Sequence, residues 1–204
     1  QQMIGLRLEE KAVQLERYLG KTRELNSEAL SPLVDALESA LKSTRIHVKK
    51  FDGEVEQPDV LADAANALTA SEQSGHVTSV KSFVEIIDAI IEQLASGDDE
   101  LVINLILLRS EMNNLGLGTA HLHFRINATQ LHNGFSHLME IDGDASISSR
   151  MQLSRLNELI EKVEPHKVSF RSLMHEGSTA LRQFILIAQI LKHIDEDTPV
   201  RFLI

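Results

Sequence analysis

The sequence predicts a mainly α-helical, multi-helix domain that contains one or two short parallel strands. Most segments repeat apolar residues at the spacing of an amphipathic helix. Aromatic residues make up only 4% of the chain against 43% apolar residues, so the core must be aliphatic, which favours helices packed on helices. Residues 120–126 instead alternate with a period of two, which is the pattern of a strand.

Two helices are predicted at the start of the chain. One covers residues 4–26, with an apolar stripe of four residues: Leu8, Ala12, Leu15 and Leu19. Ser31-Pro32 predicts the next helix start, because serine is a frequent N-cap and proline suits the first turn. This second helix is expected to run to about Lys50.

Three more helices are predicted before the strand. Pro58 opens an alanine-rich helix that ends near Ser74-Gly75. The strongest helical periodicity follows and ends at Gly97, and its apolar positions are Val80, Phe83, Val84, Ile87, Ile90, Ile91 and Leu94. The helix LVINLILLRSEMNNL comes next. It is apolar nearly all round, which predicts that it is buried.

The glycines at 116 and 118 end that helix and admit the strand. Helices are then predicted over residues 129–140 and 151–163, with a shorter one over residues 166–176. The last long helix, TALRQFILIAQILKHI, leads to VRFLI, which we interpret as a second, fully apolar strand. Two strands joined by helices must be parallel if they share a sheet, although they need not be neighbours.

Composition and charge exclude several classes of protein. A formal net charge of −10 disfavours nucleic-acid and membrane partners, because both are anionic. The chain has no cysteine, and its longest apolar run, residues 101–108, is too short to span a bilayer. With no signal peptide, these features indicate a cytoplasmic protein. The absence of an initial Met and the apolar end PVRFLI lead us to expect a segment of a longer protein.

Arg125 is the main candidate for a binding residue. It is the last polar side chain of the predicted strand and so lies at its carboxyl end, where parallel α/β folds bind their substrates. Its guanidinium offers a planar fork of donors suited to a carboxylate or a phosphate. The alternative is an ordinary ion pair with one of the thirty acidic side chains.

Two further patterns have competing interpretations. His121 and His123 could share a metal ion, with a third ligand drawn from His132, His137 or Glu140; the alternative is that both imidazoles form hydrogen bonds at a helix–strand interface. The glycine pair in LGLG lacks the later glycine of a dinucleotide-binding loop, and it follows a helix. We therefore interpret it as a tight turn.

The run LVINLILLRSEMNNLGLGTAHLHFRINAT resembles the central region of phosphoenolpyruvate carboxylases. That family has a helix, an aromatic-glycine turn and a strand ending in arginine, written F-G-x-x-x-x-x-L-D-I-R-Q-x-S. Leu115-Gly116-Leu117 corresponds to Phe-Gly-aliphatic, and four more residues follow in register: Ala120, Leu122, Phe124 and Arg125. The resemblance covers about residues 96–133, and ALRQFILIAQILKHI…PVRFLI is similar to a later helix and barrel strand.

This resemblance implies a fold and a role for one residue. The fold would be a piece of a helix-rich (β/α) barrel, and Arg125 would be both a catalytic and a substrate-binding residue that helps to hold the phosphoenolpyruvate anion. His123, Ile126 and Ala128 stand where the family has Asp, Gln and Ser. The departures indicate a divergent branch or a relative that has lost activity.

The resemblance also implies a reaction. The parent enzyme would be a carbon–carbon lyase that converts phosphoenolpyruvate and bicarbonate into oxaloacetate and phosphate, an anaplerotic step. It would use magnesium or manganese and form a homo-oligomer. The family's catalytic histidine lies upstream of this stretch and its metal ligands lie downstream, so we expect the isolated chain to bind no metal and to be inactive.

We therefore expect residues 1–204 to form one helical fragment of a larger enzyme. Residues 1–115 would be the helical part, and residues 116–204 would contain strand, helices and strand. The alternative is a non-catalytic helical module that binds a partner protein through exposed helix faces. That alternative accounts for the helices, but not for the register of LGLGTAHLHFR.

Overall fold

The computed structural model describes residues 2–51, 75–94, 99–131 and 177–203, together with residues 63, 66–68, 133, 154, 157 and 158. These ranges contain five α-helices and two strands, with a short 3-10 helix at Glu28–Leu30. In chain order they are α1 (Gln2–Glu24), α2 (Ser31–Phe51), α3 (Lys81–Leu94), α4 (Asp99–Leu115), β1 (Leu122–Arg125), α5 (Thr179–His193) and β2 (Val200–Leu203). The mainly helical architecture with two short parallel strands is confirmed.

The first four helices form the larger hydrophobic core. Helices α1, α2 and α3 contribute the faces that their apolar periodicity predicts, because burial of that stripe is what stabilises an amphipathic helix. Seven of the buried residues are Leu15 and Tyr18 on α1, Leu37 on α2, Phe83 and Ile87 on α3, and Leu105 and Met112 on α4. Helix α1 packs through its inner stripe, which includes Leu15 and Tyr18, whereas its Leu6 and Val13 are exposed.

The expectation that α4 is buried holds for only one side of the helix. Leu101, Leu105, Leu108 and Met112 face the core, whereas the opposite side of the helix is exposed. Three large apolar residues lie on that exposed side: Ile103, Ile106 and Leu107. A helix that is apolar on every side gives no sequence signal for which side packs, so its single contact face could not be predicted.

The start of α2 also differs in detail from the prediction. The helix begins at Ser31, as expected, but this serine is its first helical residue and not its N-cap. The Ser31 hydroxyl donates to the Glu28 carbonyl at 2.8 Å, because a turn of 3-10 helix precedes it. The start position is right, and the capping role is wrong.

The two strands are parallel neighbours in one sheet. Leu122, His123, Phe124 and Arg125 pair with Val200, Arg201, Phe202 and Leu203, respectively. Backbone bonds from Leu122 N to Pro199 O (3.0 Å) and from Ile126 N to Leu203 O (2.9 Å) extend the ladder at both ends. Arg201 is exposed within β2, so the interpretation of VRFLI as a fully apolar strand is wrong.

A smaller second core covers one face of this sheet. Ile190 and Ile194, from the end of α5, pack with Ile4 and Leu8 of α1, and Leu122 of β1 contacts this cluster. The Phe184 ring of α5 lies 4.8 Å from the Phe202 ring of β2. Helix α5 therefore holds the sheet against α1.

Several predicted elements lie outside the described residues. These are most of the alanine-rich helix after Pro58, the Gly97 cap, most of the helix over residues 129–140, most of the helix over residues 151–163, and the shorter helix over residues 166–176. Residues 128–131 are helical, which agrees with the beginning of one of them.

Candidate anion-binding site on the two-stranded sheet

The two faces of the sheet differ in chemistry because side chains alternate along each strand. One face presents four residues that are all exposed: His123 and Arg125 from β1, and Arg201 and Leu203 from β2. Arg125 is the last residue of β1, as the sequence predicts. The strand therefore carries its guanidinium into solvent at its carboxyl end.

The other face of the sheet is apolar and only partly covered, since Phe202 remains 38% exposed. Phe124 is buried and its ring lies 6.1 Å from that of Phe202, which in turn contacts Phe184 of α5. Ile126, just beyond β1, is also buried, in agreement with the alternation seen in the sequence. Packing on this side fixes which way the polar face points, so Arg125 and Arg201 lie together on the open face.

These two arginines have no carboxylate partner among the described residues. Most other arginines in the described ranges are paired: Arg7 with Asp195, Arg17 with Glu111, Arg23 with Glu38, Arg45 with Glu16, and Arg109 with Asp88. Arg182 also has an interaction partner. Within the part of the chain that the structure describes, the ion-pair interpretation of Arg125 finds no support.

The histidines do not assemble a metal site within the described ranges. The His121 and His123 rings are 6.2 Å apart and tilted by 52°. No group of three His, Cys, Asp or Glu side chains that could hold a metal ion occurs among the described residues. The third ligands considered, His132, His137 and Glu140, lie outside those residues. The described side chains do not provide a site for the magnesium or manganese that the resemblance implies.

A buried network ties together the amino ends of the two strands. Arg7 of α1 donates to the Asp195 carboxylate at 2.5 Å and to the Ala120 carbonyl at 2.9 Å, and it also contacts Thr198. Both charged side chains are almost fully buried, at 4% and 1% exposed. Residues 120 and 195–198 immediately precede β1 and β2, so this one guanidinium sets the position of both strands.

Neighbouring polar residues reinforce the same end of the sheet. Glu10 of α1 accepts hydrogen bonds from the backbone N–H of Ala120 at 2.5 Å and from the Thr119 hydroxyl at 3.1 Å. Asp197 accepts from Val80 N at 2.8 Å and from the Ser79 hydroxyl at 2.9 Å. The Asp197 carboxylate thereby accepts from an N–H at the start of α3 that has no partner within the helix. Burial raises the pKa of the Asp195 carboxyl, whereas the hydrogen bond from Thr198 and the charge of Arg7 act in the opposite direction.

The LGLG glycines serve this network. Gly116 has φ +62°, a left-handed conformation that glycine tolerates, and its carbonyl accepts from the Tyr18 hydroxyl at 2.7 Å. A Cβ on Gly118 would lie 2.8 Å from Arg7 Nη2 and 3.0 Å from Asp195 Oδ2. The interpretation as a tight turn agrees with this geometry. The turn makes room for the buried ion pair.

A cleft of about 390 Å³ lies at the amino end of the strands, beside His121. Its walls include Lys81, Asn113, Asn114 and Asp197. Because Asp197 already occupies the positive end of α3, an added anion would meet a carboxylate there. This cleft is therefore a poorer anion site than the open face of the sheet that carries Arg125 and Arg201.

No protein-family model, curated protein or solved structure matches this chain. No helix among the described residues is both long enough and apolar enough to cross a membrane.

Sequence reasoning missed two features of the site. Arg201 lies within an otherwise apolar pentapeptide, and only the pairing register places it beside His123. The Arg7–Asp195 pair joins residues 188 positions apart, so no local pattern could reveal it. The one signal available for Arg201 was a charge in a predicted strand, which must lie on an open face unless it is paired.

Proposed function

We propose that this chain is the central segment of a phosphoenolpyruvate carboxylase, whose parent carboxylates phosphoenolpyruvate with bicarbonate to give oxaloacetate and phosphate. The supporting observation is the position of Arg125, which ends a short parallel strand, is exposed, and has no ion-pair partner among the described residues. It also follows a glycine turn in the register of the family motif. A motif arginine that binds substrate must be free to do so.

The arrangement of the strands supports a barrel as the parent fold. β1 and β2 are adjacent and parallel, and the chain between them includes α5, which covers the apolar face. In a (β/α) barrel each strand turns one face to the surrounding helices and the other to the interior, with the active site at the carboxyl ends. In this proposal the face with Arg125 and Arg201 is the interior face.

Arg125 would act by binding charge. Its guanidinium can donate two parallel hydrogen bonds to a phosphate or a carboxylate, and such charge-assisted bonds both attract and orient the anion. His123 and Ile126 replace the family's Asp and Gln around it, so the neighbouring contacts would differ from those of typical members. The general base and the metal ligands would come from other parts of the parent, which we propose to be a cytoplasmic, magnesium- or manganese-dependent homo-oligomer.

The test uses the complete protein that contains this chain. Oxaloacetate formation from phosphoenolpyruvate and bicarbonate can be followed by coupling it to NADH oxidation through malate dehydrogenase. Loss of one preorganised charge donor lowers activity by about 10²–10³-fold in comparable sites, and we expect Arg125→Ala to lose activity in that range.

A matched control is Arg45→Ala, which removes the same charge from an exposed ion pair on α2. It should retain wild-type activity. Absence of carboxylation by the wild-type protein, or full activity of Arg125→Ala, would contradict the proposal.

One observation favours the alternative of a non-catalytic interaction module. Helix α4 leaves Ile103, Ile106 and Leu107 exposed along one side, at spacings of three and four residues. An apolar helix stripe of this kind is a common surface for binding another helix. The alternative would be preferred if the complete protein made no oxaloacetate and lost a stable partner on Leu107→Glu.

A further inference from the structure

The open face of the sheet carries a second guanidinium, on Arg201, close to that of Arg125. The register places Arg201 opposite His123 and places Arg125 opposite Leu203, so the two arginines lie diagonally across the strands. Strands are about 4.8 Å apart and rise about 3.3 Å per residue, which puts the two Cα atoms about 8 Å apart. Arginine side chains are long enough to converge on one anion across that distance.

The charge balance of the chain makes this pair unusual. Asp and Glu number 30 against 20 Lys and Arg, so carboxylate partners are abundant. Nevertheless, Arg125 and Arg201 are neighbours on one face and neither has a carboxylate partner among the described residues. Two adjacent like charges repel each other, and an anion bound between them would remove that repulsion.

We propose that Arg125 and Arg201 together bind the phosphate group of a small phosphorylated ligand, with Arg201 as the second anion contact. A phosphate dianion has enough oxygen atoms to accept two hydrogen bonds from each guanidinium. The apolar packing of Phe124, Phe202 and Phe184 behind the sheet holds both strands in the required register. This inference rests on the proposed function, and it assigns the phosphate end of phosphoenolpyruvate to these two residues.

The test measures binding of inorganic phosphate to the complete protein that contains this chain, by ³¹P line broadening. We expect a dissociation constant in the millimolar range. We expect Arg201→Gln and Arg125→Gln each to weaken phosphate binding by about tenfold or more, because each change removes hydrogen bonds between charged groups. Both side chains are exposed, so neither change should disturb folding, which circular dichroism can check.

Two controls separate this site from general charge attraction. Arg45→Gln removes an exposed positive charge elsewhere and should leave phosphate binding unchanged. Phosphoenolpyruvate should displace phosphate, whereas pyruvate, which has no phosphate group, should not. This full set of results supports a two-arginine phosphate site.

The contrary outcomes are distinct. Wild-type affinity in Arg201→Gln together with weak binding in Arg125→Gln would overturn this inference and leave the proposed role of Arg125 intact. Equal weakening by Arg45→Gln, or no phosphate binding by the complete wild-type protein, would also overturn it. If both arginines proved necessary but phosphoenolpyruvate failed to displace phosphate, the two-arginine site would stand and the proposed function would fail.

Discussion

The guanidinium of Arg7 lies in the interior among partners from two distant parts of the chain, Asp195 and Ala120. Removing one partner of a buried ion pair leaves the other charge without compensation. Such a loss costs about 3–5 kcal/mol, and we expect Arg7→Ala to lower the free energy of unfolding by that amount. Urea denaturation followed by circular dichroism would measure it.

The matched control is again Arg45→Ala, because the Arg45–Glu16 pair is largely exposed. Exposed ion pairs contribute about 0–1 kcal/mol, so this variant should be nearly as stable as the wild type. Similar losses in both variants would show that the Arg7 network does not stabilise the strand ends.

Two glycines allow a test of the turn before β1. Gly116 is left-handed, and a Cβ there would lie 2.8 Å from Asp197 Cβ, so Gly116→Ala should destabilise the protein by about 1–3 kcal/mol. Gly20 lies within α1 with no atom within 4 Å of an added Cβ. Gly20→Ala should therefore stabilise by about 0.5–1 kcal/mol. Thermal unfolding of the two variants should shift in opposite directions, and a shift in the same direction would contradict this account.

At the scale of the elements, basic side chains meet where α1, α2 and α5 come together. The pKa of His76 is lowered to about 4. Burial is the largest cause, followed by the charge of Lys11 and then by His47 and His193. Burial also lowers the pKa of the Lys11 ammonium, to about 8. The folded protein therefore favours a neutral His76.

A pH dependence of stability follows from this packing. The unfolded chain takes up a proton at His76 near its ordinary pKa of about 6.5, whereas the folded chain does so only near 4, so stability falls as pH falls through that window. Because the ring is only partly buried, we expect His76 to contribute about 1–2 kcal/mol of this loss. Urea midpoints between pH 7 and pH 4 should fall less steeply in His76→Met than in the wild type. Equal slopes would show that His76 does not couple folding to pH.

The elements with a clear period could be predicted from the sequence, and those decided by tertiary contacts could not. The apolar stripe on α3 and the alternation around β1 predict both the kind of secondary structure and its place in the chain, because the first spacing fits only a helix and the second only a strand. Helix α4 has no such asymmetry, so its exposed side at Ile103 and Leu107 was not predictable. The position of Arg201 depended on strand register, which local sequence does not specify when the partner strand is distant.

At the scale of the whole molecule, the two ends of the sheet have different roles. The amino ends of both strands are fixed to α1 by hydrogen bonds and an ion pair of Arg7 and Glu10, of which the Arg7–Asp195 pair is buried. The carboxyl end of β1 carries the exposed Arg125. The place of Arg125 at the carboxyl end of β1 could be predicted from the sequence, because it depends only on the alternation of the strand. The polar network at the amino ends could not be predicted from the sequence, because it joins residues that are far apart along the chain.

The proposed function requires that the parent of this chain transfer the phosphate group of phosphoenolpyruvate to bicarbonate and then carboxylate the enolate that remains. The most direct measurement is the fate of ¹⁸O supplied as labelled bicarbonate to the complete protein. If a bicarbonate oxygen attacks the phosphate group to form carboxyphosphate, that oxygen leaves with the phosphate and the other two remain in carbon dioxide. We expect each phosphate released to carry one labelled oxygen and the new carboxylate of oxaloacetate to carry two. Unlabelled phosphate, or no phosphate release, would contradict the account.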